Sequence, residues 1–220
     1  MSLRKMLRAG ALVLTLAPLG ACALANVAGE PAPDLYVLTA PSPQAPDAAP
    51  AMRAQIVVEP FSAPAALDTA RIVFQPSPNE IKYYAGARWS DRAPRMIAAL
   101  AVETLHNTGR FPAVIGAGSA ARTDLALTGD VRQFAAARVA AQGLGQTSTE
   151  ARVVFFARLL RASDRSIVAS REFSATAPSA SGKMTDIVAA YDAALGQVLS
   201  DIALWTLDEG AKAWPKPASS

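Results

Sequence analysis

Cysteine and histidine are nearly absent from this sequence: Cys22 is the single cysteine and His106 the single histidine in 220 residues. One cysteine excludes an intramolecular disulfide framework, and one imidazole leaves a histidine-based metal site to be completed by carboxylates. An excess of one charge is also missing once the charges are placed. The formal net charge of +3 comes from Arg4, Lys5 and Arg8, and no acid precedes Glu30. The chain from Cys22 onward therefore carries 18 basic and 18 acidic groups, so no electrostatic case for nucleic-acid binding exists. No internal repeat of 20–50 residues is evident.

The signatures of catalysis are lacking too. The strand-turn-helix serine motif G-x-S-x-G does not occur, and Gly116-Ala117-Gly118-Ser119 reads as a loop of small residues. Neither a phosphate loop nor a dinucleotide fingerprint is present, and Gly143-Leu144-Gly145 lacks the strand-before, helix-after context of one. His106 falls at the end of an expected helix, where an imidazole bonds terminal carbonyls or faces water. Asp124 and Asp130 lie six residues apart, which along one strand is about 20 Å, too far for a glycosidase pair. The expectation is a chain that is not an enzyme, with no cofactor and no metal.

What is present begins at the amino end. Arg4, Lys5 and Arg8 precede an apolar run from Ala9 to Leu19, the pattern of a secretory signal, and eleven residues are too few for a permanent span. Leu19-Gly20-Ala21-Cys22 resembles the bacterial lipobox. In lipobox proteins the signal is cut before the cysteine, whose sulfur and new amine are acylated. Each buried methylene contributes about 0.8 kcal/mol, so several chains on Cys22 give firm anchoring. The other reading is an ordinary signal cut near Ala21 or Ala23, which leaves an unpaired thiol in an oxidising compartment. Position 23 is Ala rather than Asp, which by the enterobacterial sorting rule resembles an outer-membrane destination.

Residues 1–21 are thus read as signal, 22–53 as lipidated cysteine, tether, short strand and proline-rich loop, 54–209 as the folded domain, and 210–220 as a loose tail. The twelve residues from Cys22 to Asp34 reach about 40 Å when extended. Leu35-Tyr36-Val37-Leu38 is a strand candidate, followed by a loop with Pro41, Pro43, Pro46 and Pro50. Ala54–Glu59 is another extended run. Ala70–Gln75 and Glu80–Tyr84 flank Pro76-Ser77-Pro78-Asn79 as a hairpin. Pro94 suits a first helical turn that Ser90 or Asp91 caps; Ile97, Leu100, Ala101, Thr104 and Leu105 recur at helical spacing, and Gly109 ends the helix.

Phe111–Ile115 reads as a strand, and Leu125, Leu127 and Val131 alternate around Gly129, where a bulge or bend is expected. Ala151–Leu160 and Ser166–Ala175 form two long antiparallel strands, and Arg152, Arg158, Arg161 and Arg165 on this hairpin meet acidic partners or lipid headgroups, or simply face water. Lys183 to about Glu209 is a long amphipathic helix with Ile187, Tyr191, Leu195, Val198 and Ile202 on one face. These elements make a single α+β domain, a mainly antiparallel sheet covered on one face by two helices.

Between hairpin and first helix lie Tyr83, Tyr84, Arg88 and Trp89, an aromatic and arginine mixture of the kind enriched at contact hot spots. These four are the candidate partner-binding residues. The competing reading has Trp89 and Tyr84 packing the hairpin onto the helix as core, with Arg88 covering an apolar edge.

Several stretches carry a family resemblance: Ile56-Val57-Val58-Glu59-Pro60, Ala65-Ala66-Leu67-Asp68-Thr69-Ala70-Arg71-Ile72-Val73, Ile81-Lys82-Tyr83-Tyr84 and Arg88-Trp89-Ser90-Asp91. With Leu35–Leu38, Asp124-Leu125-x-Leu127-x-Gly129-Asp130-Val131-x-x-Phe134 and the closing helix, residues 34–209 resemble the ABC-type transport auxiliary lipoproteins. Pro64-Ala65-Ala66 departs from the bulkier residues of relatives. The resemblance implies a non-enzymatic periplasmic domain, anchored in the outer membrane, that receives an MCE-domain protein of a transporter moving phospholipid or a related hydrophobic molecule. Some relatives form rings, which implies a homo-oligomer. A structural lipoprotein of another envelope complex is the alternative; a periplasmic hydrolase rests only on scattered acids and serines.

Overall fold

Residues 32–44, 51–119, 121–140 and 147–214 are described in the computed structural model. Leu19, Gly20, Ala21 and Cys22 lie outside them, as do Pro46, Pro50 and Gly143-Leu144-Gly145. In chain order the elements are β1 (Asp34–Tyr36), β2 (Ile56–Val58), β3 (Arg71–Ser77), β4 (Glu80–Trp89), α1 (Ala93–Asn107), β5 (Val114–Gly116), β6 (Leu125–Ala140), β7 (Thr147–Arg161), β8 (Ile167–Pro178) and α2 (Met184–Ala213).

Strict alternation along β7 explains the spine of the sheet. Ala151, Val153, Phe155, Ala157 and Leu159 are buried, while Arg152, Val154, Phe156 and Arg158 between them are half-buried on the other face. Register with β6 and β8 fixes that choice over the whole antiparallel length, because a one-residue slip would turn every apolar side chain outward. On its other edge, β6 pairs in parallel with β2 near its start and with β3 further along. Strands β5 and β1 complete the two ends by parallel pairing with β2 and β4. The sheet is therefore mixed, but its long ladders are antiparallel, and these dominate its area.

Both helices lie on the face carrying Phe134, Phe155 and Phe173. On α2, Ile187, Tyr191, Leu195, Val198 and Ile202 are all buried, and Trp205 meets Phe173 edge to face at 5.5 Å between ring centroids. By length and hydropathy α2 would cross a membrane, yet half of its most apolar window is packed inside the protein, the mark of a core helix. It runs to Ala213, beyond the expected Glu209, because Gly210 is buried against Met52 and Leu125; the expected tail thus loses its first residues to the core. Buried Thr104 and Thr206 return their hydroxyls to the carbonyls of Leu100 and Ile202, both at 2.7 Å.

Two local expectations are corrected. The residue preceding α1 is Arg92, and neither Ser90 nor Asp91 caps the helix; Asp91 instead pairs with Arg95 at 3.2 Å. Gly129 stays in register with Ala157, and the irregularity in β6 falls between Val131 and Gln133. The glycine is needed for space: a Cβ there would meet the carbonyl of Phe156 and stand 2.6 Å from the Phe155 ring. Gly109, by contrast, ends α1 as expected, at a φ of 62° that favours glycine.

From Pro33 onward the chain forms one compact unit. The hairpin of β3 and β4 turns at Pro78-Asn79, with Ser77 opposite Glu80.

Candidate functional site

Strand β4 carries all four candidate contact residues, and strand geometry scatters them. Neighbouring side chains on a strand point to opposite faces, so Tyr83 and Tyr84 part company at once. Tyr83 lies on the open face, opposite Val73, under the Arg71 guanidinium at 3.7 Å from its ring centroid, and donates its hydroxyl to the Ala66 carbonyl at 3.2 Å. Tyr84 lies on the helix-covered face against Phe74, with ring centroids 5.4 Å apart and Arg138 over the Phe74 ring. Burial pushes the Tyr84 phenol above its ordinary pKa, and the nearby Arg138 charge opposes that rise.

Gly86, at a φ of 67°, then breaks the alternation, so that Ala87 and Trp89 turn into the core. Trp89 is 1% exposed and packs with Phe134 and Tyr191, its centroid 5.6 and 5.1 Å from theirs. Its indole Nε1–H is buried without an acceptor among the described residues. Tyr191 donates its hydroxyl to the Val73 carbonyl at 2.6 Å, and burial holds its pKa well above the ordinary value, so it remains neutral. Trp89 is thus core, as the competing reading had it, and presents no surface to a partner. Arg88 is exposed beside β1. The structure brings Tyr83 and Arg88 to the open face, and places Tyr84 and Trp89 on the other.

The open face holds residues that sequence reasoning did not single out. A groove of about 300 Å³ is lined by Leu67, Val73, Ile81, Ala135 and Val154, with Arg132 and Gln133 at its polar side. The small residues Pro64 and Ala66 line it as well, and Tyr83 is tied to that wall through Ala66. Arg132 falls at the irregularity of β6, where its guanidinium lies 4.4 Å from the Phe156 ring centroid and pairs with Glu172. Only the pairing register shows that this residue is the extra one in the ladder.

Three of the four hairpin arginines, all but Arg161, form ion pairs within the chain. Arg158 bonds Asp130 at 2.6 Å, Arg152 bonds Glu150 at 2.7 Å, and Arg165 pairs with Glu59. Asp130 also accepts the Ser62 hydroxyl; Arg158 first, then Ser62, holds its carboxyl below the ordinary aspartate value. Asp124 accepts the Gln55 backbone N–H at 2.8 Å, so the two aspartates considered for catalysis each fasten the loop around β2 to β6.

Comparison with known proteins adds the family. Residues 36–203 match the model for the ABC-type transport auxiliary lipoprotein component. A crystal structure of a DUF330-family protein from Xanthomonas campestris is 32% identical, covers 82% of this chain and 98% of its own, and superposes with a TM-score of 0.73. An uncharacterized protein at 15% identity, covering 79% of this chain and 97% of its own, shares the fold at a TM-score of 0.59. A search of curated proteins finds no match. On the model match over most of its length and the 32% identity to that relative, the chain belongs to the ABC-type transport auxiliary lipoprotein component family.

Proposed function

We propose that this chain is the accessory component of an MCE-type ABC transport system, acting by protein docking, with phospholipid or a related hydrophobic molecule as the system's cargo. In this reading acylated Cys22 holds it at the outer membrane, the folded unit stands in the periplasm, and copies associate as a ring. The observation that supports docking most directly is the sheet face that neither helix covers. Both helices occupy one side, and the other keeps an apolar groove beside Ile81, which is 47% exposed, with Arg132 and Tyr83 at its margin. An apolar centre with an aromatic and arginine margin is the make-up of a contact hot spot.

The test is copurification from detergent extracts of the wild type, Cys22→Ala and Ile81→Asp, with partners identified by mass spectrometry and membrane fractions recorded. The reading expects an MCE-domain protein with the wild type, loss of outer-membrane location in Cys22→Ala, and loss of the partner in Ile81→Asp. Recovery of a different envelope complex under crosslinking would instead favour a structural lipoprotein, and an unmodified Cys22 would remove the anchor.

A further inference from the structure

The corner of the sheet built from β1, β4 and β3 carries a surface that the groove does not include. Register sets Leu35 beside Arg88 and Arg88 beside Arg71, so the three side chains form a row on the open face. Val37 turns the same way as Leu35; both are 68% exposed, while Tyr36 and Leu38 turn into the core. Large aliphatic side chains this exposed, one on the edge strand and one just past its end, mark a contact surface.

The charge at this corner is unanswered. Arg71 and Arg88 stand directly opposite each other, an arrangement of like charges that costs folding stability. Arg71 rests on the Tyr83 ring, and neither arginine has a carboxylate partner among the described residues. The nearest acids along the chain, Asp68 and Asp91, are taken by Arg92 and Arg95, and Asp34 alternates to the other face.

We propose that this corner rests on an anionic phospholipid bilayer, with Leu35 and Val37 entering the interfacial region and Arg71 and Arg88 meeting lipid phosphates. Exposed aliphatic groups next to unpaired arginines are the two ingredients of binding at a membrane surface. The location fits that occupant better than a distant protein. Strand β1 is the first element of the folded unit and starts twelve residues after Cys22, so a tether of about 40 Å at most keeps this edge close to the anchoring membrane. This last step rests on Cys22 as the lipid-bearing residue; the composition of the corner does not.

The test uses residues 22–220 with Cys22→Ser, which retain the whole unit beginning at Pro33. Cosedimentation is measured with vesicles of phosphatidylglycerol mixed with phosphatidylcholine, and with vesicles of phosphatidylcholine alone. The expected result is partitioning about thirtyfold stronger to the anionic vesicles, weakening with added salt. Arg71→Gln with Arg88→Gln lowers it about thirtyfold, and Arg88→Gln alone about fivefold. Leu35→Ser with Val37→Ser lowers it as well, whereas Ile167→Ser, at a site 63% exposed on β8, leaves it unchanged. Unaltered circular dichroism shows that each variant is folded.

Equal binding to both vesicle types, no binding, or an equal loss with Ile167→Ser overturns the proposal. So does a change in oligomeric state with intact vesicle binding, which assigns the corner to a contact between copies. Mass spectrometry of Cys22 from cells tests the anchor separately. An unmodified cysteine with vesicle binding intact removes the anchor and leaves the membrane face, while an acylated cysteine with no vesicle binding removes the face alone.

Discussion

On the long hairpin, Arg152, Arg158 and Arg165 each reach a carboxylate of the same chain, and Arg132 pairs across β7 with Glu172. On the β1–β4–β3 corner, Arg71 and Arg88 face each other with no carboxylate at all among the described residues. The two regions share a sheet face and a residue type, and they differ in whether the charge is already answered. A guanidinium bound by its own chain would lose that partner on docking elsewhere, so a charge-rich surface is not by itself a binding surface. Where arginine stands uncompensated beside exposed aliphatic side chains, an external partner gains the whole interaction.

The largest test of this contrast concerns the scaffold of the hairpin. Gly129→Val places atoms where the Phe155 ring and the Phe156 carbonyl already lie, and the expected cost is about 3 kcal/mol in urea denaturation. At Gly86, beside the corner, a Cβ meets open space, so Gly86→Ala costs only the left-handed backbone conformation, about 1–2 kcal/mol. A cost at Gly86 equal to that at Gly129 would mean that the corner is packed as tightly as the hairpin.

Next in size is the Arg158–Asp130 pair, for which a double-mutant cycle with Arg158→Met and Asp130→Asn should give a coupling of about 1 kcal/mol. Its pH dependence carries a sign. Asp130 titrates lower in the folded chain than its unfolded value of about 3.9, so its contribution is complete above that value and is lost as pH falls through the folded pKa. Arg158→Met removes the main cause, so the stability lost as pH falls below about 4 should shrink in chemical denaturation curves. The smallest effect is expected at the corner: Arg88→Met should leave stability within about 0.5 kcal/mol of the wild type, or raise it by relieving Arg71. A clear destabilisation there would show that the corner charges are answered within the chain after all.

Periodicity made the larger elements legible. The apolar spacing of α2, the alternation of β7 and the proline-marked turn between β3 and β4 each follow from short-range geometry, and so did the α+β class with two helices on one face. The contact residues were legible only as a composition. Tyr83, Tyr84, Arg88 and Trp89 are close in sequence, but a strand sends neighbours to opposite faces and Gly86 shifts the phase within it. At Gly129 the sequence suggests a bulge, whereas the constraint comes from Phe155 and Phe156 on another strand.

The signal and lipobox pattern, the neutral balance of charge after residue 21, and the family to which residues 36–203 belong are all readable along the chain. Those depend on order along the chain and on composition, which no folding alters. Folding buries Trp89, pairs Arg152, Arg158 and Arg165 with carboxylates, and sets Leu35, Arg88 and Arg71 in one row. Each of these is a relation between strands, set by pairing register across segments far apart in the chain, and a side chain's neighbours exist only once that register does.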